Sequence, residues 1–294
     1  LQKDRPRLCG IDFDARCKRI GFLHTGMTTL SVRILRLFLP FWAVTVVSAS
    51  TPPPDFLDAA AKFQSNEALA LLEKSTLGDP VFRDLSRALI LLNVQPKTEG
   101  NISRSAALLE SVAATVPGTD QAALALYHLA RIEEVHRKVP DRARAVERYE
   151  TLLRLHPGSR EAEIGFVKMA NILLYSQATP DERRAQFARF EETGRTLAFP
   201  PARRSFHMSM ADAYARHGFP AESSLRHLLA FVSVPLEEKR DIAPVLYRIA
   251  RLSEATGNPV QAALFYNRLI DEYPRDNRVF EARQRLATLG GKKR

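Results

Sequence analysis

The chain has 294 residues and a formal net charge of +10, and at 45% hydrophobic it carries enough apolar material for a core, which excludes general disorder. With 13 glycines and few β-branched runs it argues against a β-sandwich or barrel, while abundant Ala, Leu, Arg and Glu argue for helices. The length admits one large domain, two ordinary ones or a repeat array.

The first methionine is Met27, and residues 1–26 are read as an upstream segment outside the native fold. Residues 27–49, "MTTLSVRILRLFLPFWAVTVVSA", read as a secretory signal peptide. Arg33 and Arg36 supply the positive region, Leu37–Val47 the apolar run, and Val47-Ser48-Ala49 the small residues before a cut after Ala49. The alternative is an uncleaved anchor in the inner membrane, but a span needs roughly 20 apolar residues and this run contains Pro40. The expected location is therefore periplasmic or secreted. Cys9 and Cys17 both precede Met27, so the mature chain is predicted to carry no disulfide. Ser50-Thr51-Pro52 follows the cut, so the cysteine of a lipid anchor is missing there. Removing three net positive charges with residues 1–26 and two with the signal leaves about +5, too mild a balance to make nucleic acid the default partner.

After a tether at 50–54, helical periodicity runs nearly to the end. Helices are predicted at 56–63, 66–76, 80–94, 102–115, 119–137, 141–155, 160–176, 181–197, 202–217, 220–232, 239–256, 259–273 and 277–289, taken as antiparallel pairs with a last helix over. Asp141, Ser159, Asp181 and Asn277 are the expected N-caps. Pro117, Pro157, Pro200, Pro235 and Pro274 are expected to close successive units, since proline cannot continue a helix. Their spacing of roughly 40 residues signals a repeat architecture.

Two stretches carry the repeat most clearly. Leu126, Tyr127, Ala130, Arg131 and Glu134 recur with the same spacing as Leu246, Tyr247, Ala250, Arg251 and Glu254. Ala145, Tyr149, Leu152 and Pro157 then match Ala262, Tyr266, Leu269 and Pro274, the first copy having three more residues in its turn. A third copy keeps Ala211, Tyr214, Gly218 and Pro235. With these positions the chain resembles the tetratricopeptide repeat (TPR) family, strongly at 246–274, well at 126–157 and 207–235, and faintly over 55–117. Ser253 and Leu269 depart from the family pattern. The resemblance implies an all-α, right-handed solenoid of antiparallel helix pairs. It divides the chain into degenerate repeats at 55–117, TPR-like repeats at 118–274, and a capping helix with a basic tail at 275–294. Small residues such as Ala130, Ala170, Ala211 and Ala250 would let paired helices approach, and Tyr149 and Tyr266 would fill the gap between one pair and the next.

No catalytic motif is present: the sequence lacks HExxH, G-x-S-x-G, a Walker loop and G-x-G-x-x-G. His207, His217 and His227 recur every ten residues, which is not a metal spacing on one helix, and acidic pairs such as Glu133-Glu134 and Glu191-Glu192 read mostly as solvated faces. No enzyme activity, cofactor or metal is expected. The resemblance instead implies a binding face on the first helix of each pair, with candidates Tyr127, Arg131, Glu134, Asn171, Met208, Asp212, Tyr247, Arg251 and Glu254. An aromatic one turn from an arginine, twice over, suits a peptide; the competing reading is that Arg131–Glu134 and Arg251–Glu254 are simple i,i+3 pairs. The arginines between Glu182 and Arg204 form a second candidate surface for an anionic partner. The chain looks most similar to bacterial envelope TPR proteins, those of Tol-Pal coordination and outer-membrane protein assembly, which implies a non-catalytic scaffold for a protein or peptide. The alternatives are a membrane-anchored adaptor and a substrate-recruiting member of an envelope-processing system.

Overall fold

The computed structural model describes residues 55–76, 78–235 and 242–291, so the upstream segment, the predicted signal peptide and the tether lie outside the described residues. The described chain is all α-helical. It divides into one unit ending at Ala162 and a second beginning at Glu163.

In the first unit α1 (Asp55–Ala61) pairs with α2 (Ser65–Lys74), α3 (Pro80–Leu91) with α4 (Glu99–Thr115), and α5 (Asp120–Arg131) with α6 (Arg142–Leu155). The second holds the pair α9 (Pro200–Arg216) and α10 (Ala221–Ser233), then α11 (Ile242–Ala255) and α12 (Pro259–Glu272), with α13 (Val279–Gly291) packed on α12. Between the boundary and α9 lie the rest of α7 (Arg160–Leu174) and α8 (Pro180–Gly194). These helices of the described residues fall where the periodicity places them, within a few residues.

Each pair is held at close range by small side chains. Ala88, Ala130, Ala170, Ala211 and Ala250 are all fully buried. In two pairs a buried serine crosses the contact: Ser105 Oγ donates to the Ala88 carbonyl at 2.8 Å, and Ser224 Oγ to that of Ala211 at 2.9 Å. A larger side chain there would spread the helices, while serine satisfies its own hydroxyl locally. Tyr149 and Tyr266 are completely buried, and Tyr266 joins the cluster in which α9, α10, α11, α12 and α13 share one core. In the terminal helix Val279 and Ala282 are buried and Leu286 and Leu289 pack against the same core, as the apolar face of a cap requires.

The helix ends correct several expectations. Asp141 caps α6 by accepting from Arg144 N at 3.0 Å, and Ser159 accepts from Ala162 N at 3.1 Å, as anticipated. The cap of α8 is Thr179 rather than Asp181; Thr179 and Glu182 form a reciprocal capping box that leaves Asp181 in the first turn. At α13 it is Asp276, not Asn277, whose carboxylate takes the Arg278 amide. Pro200 opens α9 instead of closing the preceding helix, because a first-turn position needs no amide hydrogen. The predicted helix 119–137 is regular only to Arg131 and continues as a π turn, Ile132–His136, which with the following loop absorbs the three extra residues of this copy.

This packing can be tested at two positions. Tyr266→Ala removes a fully buried ring from a core shared by five helices and should cost about 3–5 kcal/mol, read by chemical denaturation. Gly194→Ala places a methyl 2.2 Å from the ring of Phe206, itself wedged against Phe166, and should cost about 1–3 kcal/mol by overpacking.

Candidate protein-binding face

The second unit presents one continuous polar face along the first helices of its pairs. On α11, packing consumes Val245, Leu246, Ile249, Ala250 and Ser253, so helical geometry turns Arg248, Arg251 and Glu254 the other way, while the half-buried Tyr247 leans its ring on the core beside Tyr266 and keeps its hydroxyl at the face. Arg248 reaches back to α9, pairing with Asp212 and touching Met208 Sδ at 3.9 Å. Arg251 reaches forward to α13, meeting Glu281 at 3.2 Å and donating to the Tyr247 hydroxyl at 3.2 Å. Arg285 closes the row, bonded to Glu281 at 3.1 Å and to Glu254 at 2.9 Å. Tyr247 and Arg285 hold the Glu281 carboxyl below the usual carboxylate range. At the α9 end, Tyr175 is exposed beside Asp212, Arg216 and Arg248, and burial of part of its ring with the Asp212 charge raises its phenol.

Of the sequence candidates, Met208, Asp212, Tyr247, Arg251 and Glu254 are brought together on this face. Asn171 is half-buried on α7 in the same unit. Tyr127, Arg131 and Glu134 belong to the first unit, and their chemistry there is different. Arg131 and Glu134 pair at 2.9 Å with side chains only 13% and 16% exposed, and Tyr149 donates to the same Glu134 oxygen at 2.6 Å. Burial and that carboxylate push the Tyr149 phenol well up. The i,i+3 reading therefore describes the first copy. It fails in the second, where Arg251 is 44% exposed and turns to the next helix instead.

The sequence did not single out Tyr175, Arg216, Arg248, Glu281 or Arg285. A usable signal was the charged side of the terminal helix, opposite Val279, Ala282, Leu286 and Leu289.

Other charged residues also depart from expectation. Glu133 is buried rather than solvated, and Arg137, Arg144 and Arg148 approach it at 3.3, 3.7 and 3.8 Å. Glu191 accepts from Tyr214 and Arg226, with His227 Nε2 at 3.4 Å. Glu163, also buried, accepts from the Ala198 and Phe199 amides at 3.0 and 2.7 Å and so serves the start of α9. Of the arginines of 182–204, Arg189 and Arg195 are exposed and three others are engaged. Arg184 pairs with Asp181, Arg183 binds His217 and the Ala178 carbonyl, and Arg204 lies over Phe231 at 4.4 Å. His207 and His227 meet through their Nδ1 atoms at 3.0 Å, and among the described residues no group of three or more His, Cys, Asp or Glu is placed to hold a metal ion.

Comparison with known proteins bears on the repeat. Residues 245–276 match the family model described as tetratricopeptide repeat. Among solved structures the chain is similar to a thermophilic TPR protein of Thermus thermophilus, at 17% identity and a TM-score of 0.39, over 71% of this chain and 98% of that one. No curated protein matches the chain.

Burial also sets a pH dependence. It lowers His128, beside Tyr127, to about 3, and lowers His136 and His207 to about 4, the neighbouring cations and histidines adding to the effect. A histidine whose folded pKa lies below its ordinary 6.5 binds its proton more readily when unfolded, so stability falls as pH drops from about 6.5 toward the folded value. For the buried His128 the slope should be about 1.4 kcal/mol per pH unit. Urea denaturation at pH 7, 6 and 5 should show the decline, and His128→Leu should remove that share of it whatever it does at pH 7.

Proposed function

We propose that this protein is an exported, non-catalytic repeat scaffold that holds a protein or peptide against the α9–α11–α13 face of its second unit. The observation that carries this reading is the row Asp212–Arg248, Tyr247–Arg251–Glu281 and Glu254–Arg285. It is a partly exposed, hydrogen-bonding surface built on consecutive first helices, and α11 lies largely within the stretch that matches the tetratricopeptide repeat. Repeats of this kind mediate protein–protein interaction by offering such a face. Arg and Tyr are the side chains that most often anchor interfaces, because each combines apolar area with directional hydrogen bonds.

The reading as a scaffold rather than an enzyme rests on what the face contains. Its ionisable groups are engaged with one another, and none is an activated nucleophile or a general base positioned by a second group. Placement in the bacterial envelope draws on the signal-like pattern at Met27–Ala49 and on the likeness to envelope TPR proteins. The released protein in the periplasm should begin at Ser50. Amino-terminal sequencing from the membrane fraction, with 27–49 still attached, would favour the anchored adaptor instead.

Crosslinking and mass spectrometry of envelope extract should recover a partner whose crosslinks concentrate on 208–216, 247–254 and 281–285. Arg251→Glu should weaken its capture at least tenfold while shifting the melting temperature little, since that side chain is 44% exposed and its ion pair lies at the surface. Undiminished capture by that variant would move the binding site elsewhere.

A further inference from the structure

In the first unit the turns joining α1 to α2, α3 to α4 and α5 to α6 lie along a single edge. Asn66 Nδ2 donates to the Gln95 carbonyl at 3.4 Å, linking the first turn to the second. Lys97 Nζ meets His136 at 2.8 Å, and the Lys138 amide donates to Glu99 at 2.7 Å, linking the second to the third.

This edge exposes apolar side chains where turns are ordinarily polar. Phe63 is 50% exposed, Val135 45% and Val139 79%, and Pro96 and Pro140 are exposed beside them. Phe63 is also held at φ 60°, in the left-handed region. Its amide bonds the Ala60 carbonyl and the next amide bonds that of Ala59. The same pair of bonds closes the turns at Gly218 and Gly257, both at positive φ. Glycine takes that conformation without a steric penalty, so a phenylalanine there is unfavourable to the fold and presents a ring to solvent.

The exposed charges around these tips are mostly positive. Lys97, Lys138 and Arg142 are exposed, and Lys62 stands beside Phe63. Three acids of the edge are engaged, Asp58 with Lys62 at 2.6 Å, Glu99 with the Lys138 amide and 3.6 Å from Arg137, and Asp141 as the cap of α6, while Glu67 is exposed near Lys62. From this combination we infer that the turn edge of the first unit docks on an anionic lipid surface, with Phe63, Val135 and Val139 entering the interface and Lys97, Lys138 and Arg142 meeting the headgroups.

Two features favour lipid over an acidic protein. The apolar groups are distributed over separate turns rather than gathered into a pocket, which suits a fluid interface that needs no complementary shape. Two of the three outward cations are lysines in an arginine-rich chain. A flexible point charge suits a diffuse anionic surface, whereas a guanidinium fork suits a fixed carboxylate.

Co-sedimentation with phosphatidylcholine vesicles, with and without phosphatidylglycerol, tests this. The full chain should partition to the anionic vesicles about tenfold better or more, and Lys97→Glu with Lys138→Glu should abolish most of that gain. Arg189→Glu with Arg195→Glu makes the same change in net charge on exposed arginines of the second unit and should alter binding less than about twofold if the edge is the site. Phe63→Gly should weaken vesicle binding while leaving the melting temperature unchanged or higher, since it relieves the backbone. The inference is overturned if anionic vesicles are not preferred, if the control reversal lowers binding as much, or if Phe63→Gly binds undiminished. Capture of an acidic protein through this edge without vesicle binding overturns it as well.

Discussion

The structure depends on a constraint of helix pairs: two short helices joined by a turn cannot hide their apolar sides from water by themselves. The solution here is a division of labour between small and large residues. Alanine or serine where paired helices touch brings their backbones together, and a large side chain further along meets the neighbouring pair. Tyr266 belongs to the second class, and the equally buried Tyr149 is bonded within its own pair. A tyrosine suits the position because its ring supplies buried area and its hydroxyl still needs a partner, which ties it to polar groups on the first helix. In the α5–α6 pair that partner is Glu134. In the α11–α12 pair the Glu254 carboxylate faces Tyr266 and, with burial, raises its phenol.

Much of this was legible in the sequence because the repeat is a periodic statement. The matched Ala, Leu, Tyr and Pro positions fixed which faces are buried, and the helices follow. What the sequence did not reveal depended on neighbours remote along the chain. Arg131 and Arg251 have identical local contexts, Tyr four residues before and Glu three after, and yet the first folds inward onto Glu134 while the second turns to Glu281, thirty residues on. Local spacing cannot distinguish them, because the acceptor that decides the outcome sits on another helix. The same reason hid Glu133 and Glu191. An adjacent acidic pair looks solvated until arginines and a tyrosine from other helices converge on one member of it. Thr179 displaced Asp181 as a cap for a more local reason. Proline at the first helical position moves the cap one residue upstream of it, and Pro180 fixes that register.

Magnitudes separate the two copies as binding surfaces. A partner that brings a carboxylate to either arginine must displace the acid already there. Arg251 and Glu281 are 44% and 46% exposed, and such a pair contributes about 0–1 kcal/mol, so an incoming carboxylate exchanges with it at little cost. Arg131 and Glu134 are mostly buried and share the Tyr149 hydroxyl. Separating a buried pair costs about 3–5 kcal/mol, because it strands a charge away from water. Exchange there would consume a large part of the free energy of a micromolar contact, about 8 kcal/mol, before any new bond was counted. The motif that is written twice thus serves two ends. In the first unit it locks a helix pair together, and in the second its arginine sits in a surface pair that costs little to exchange.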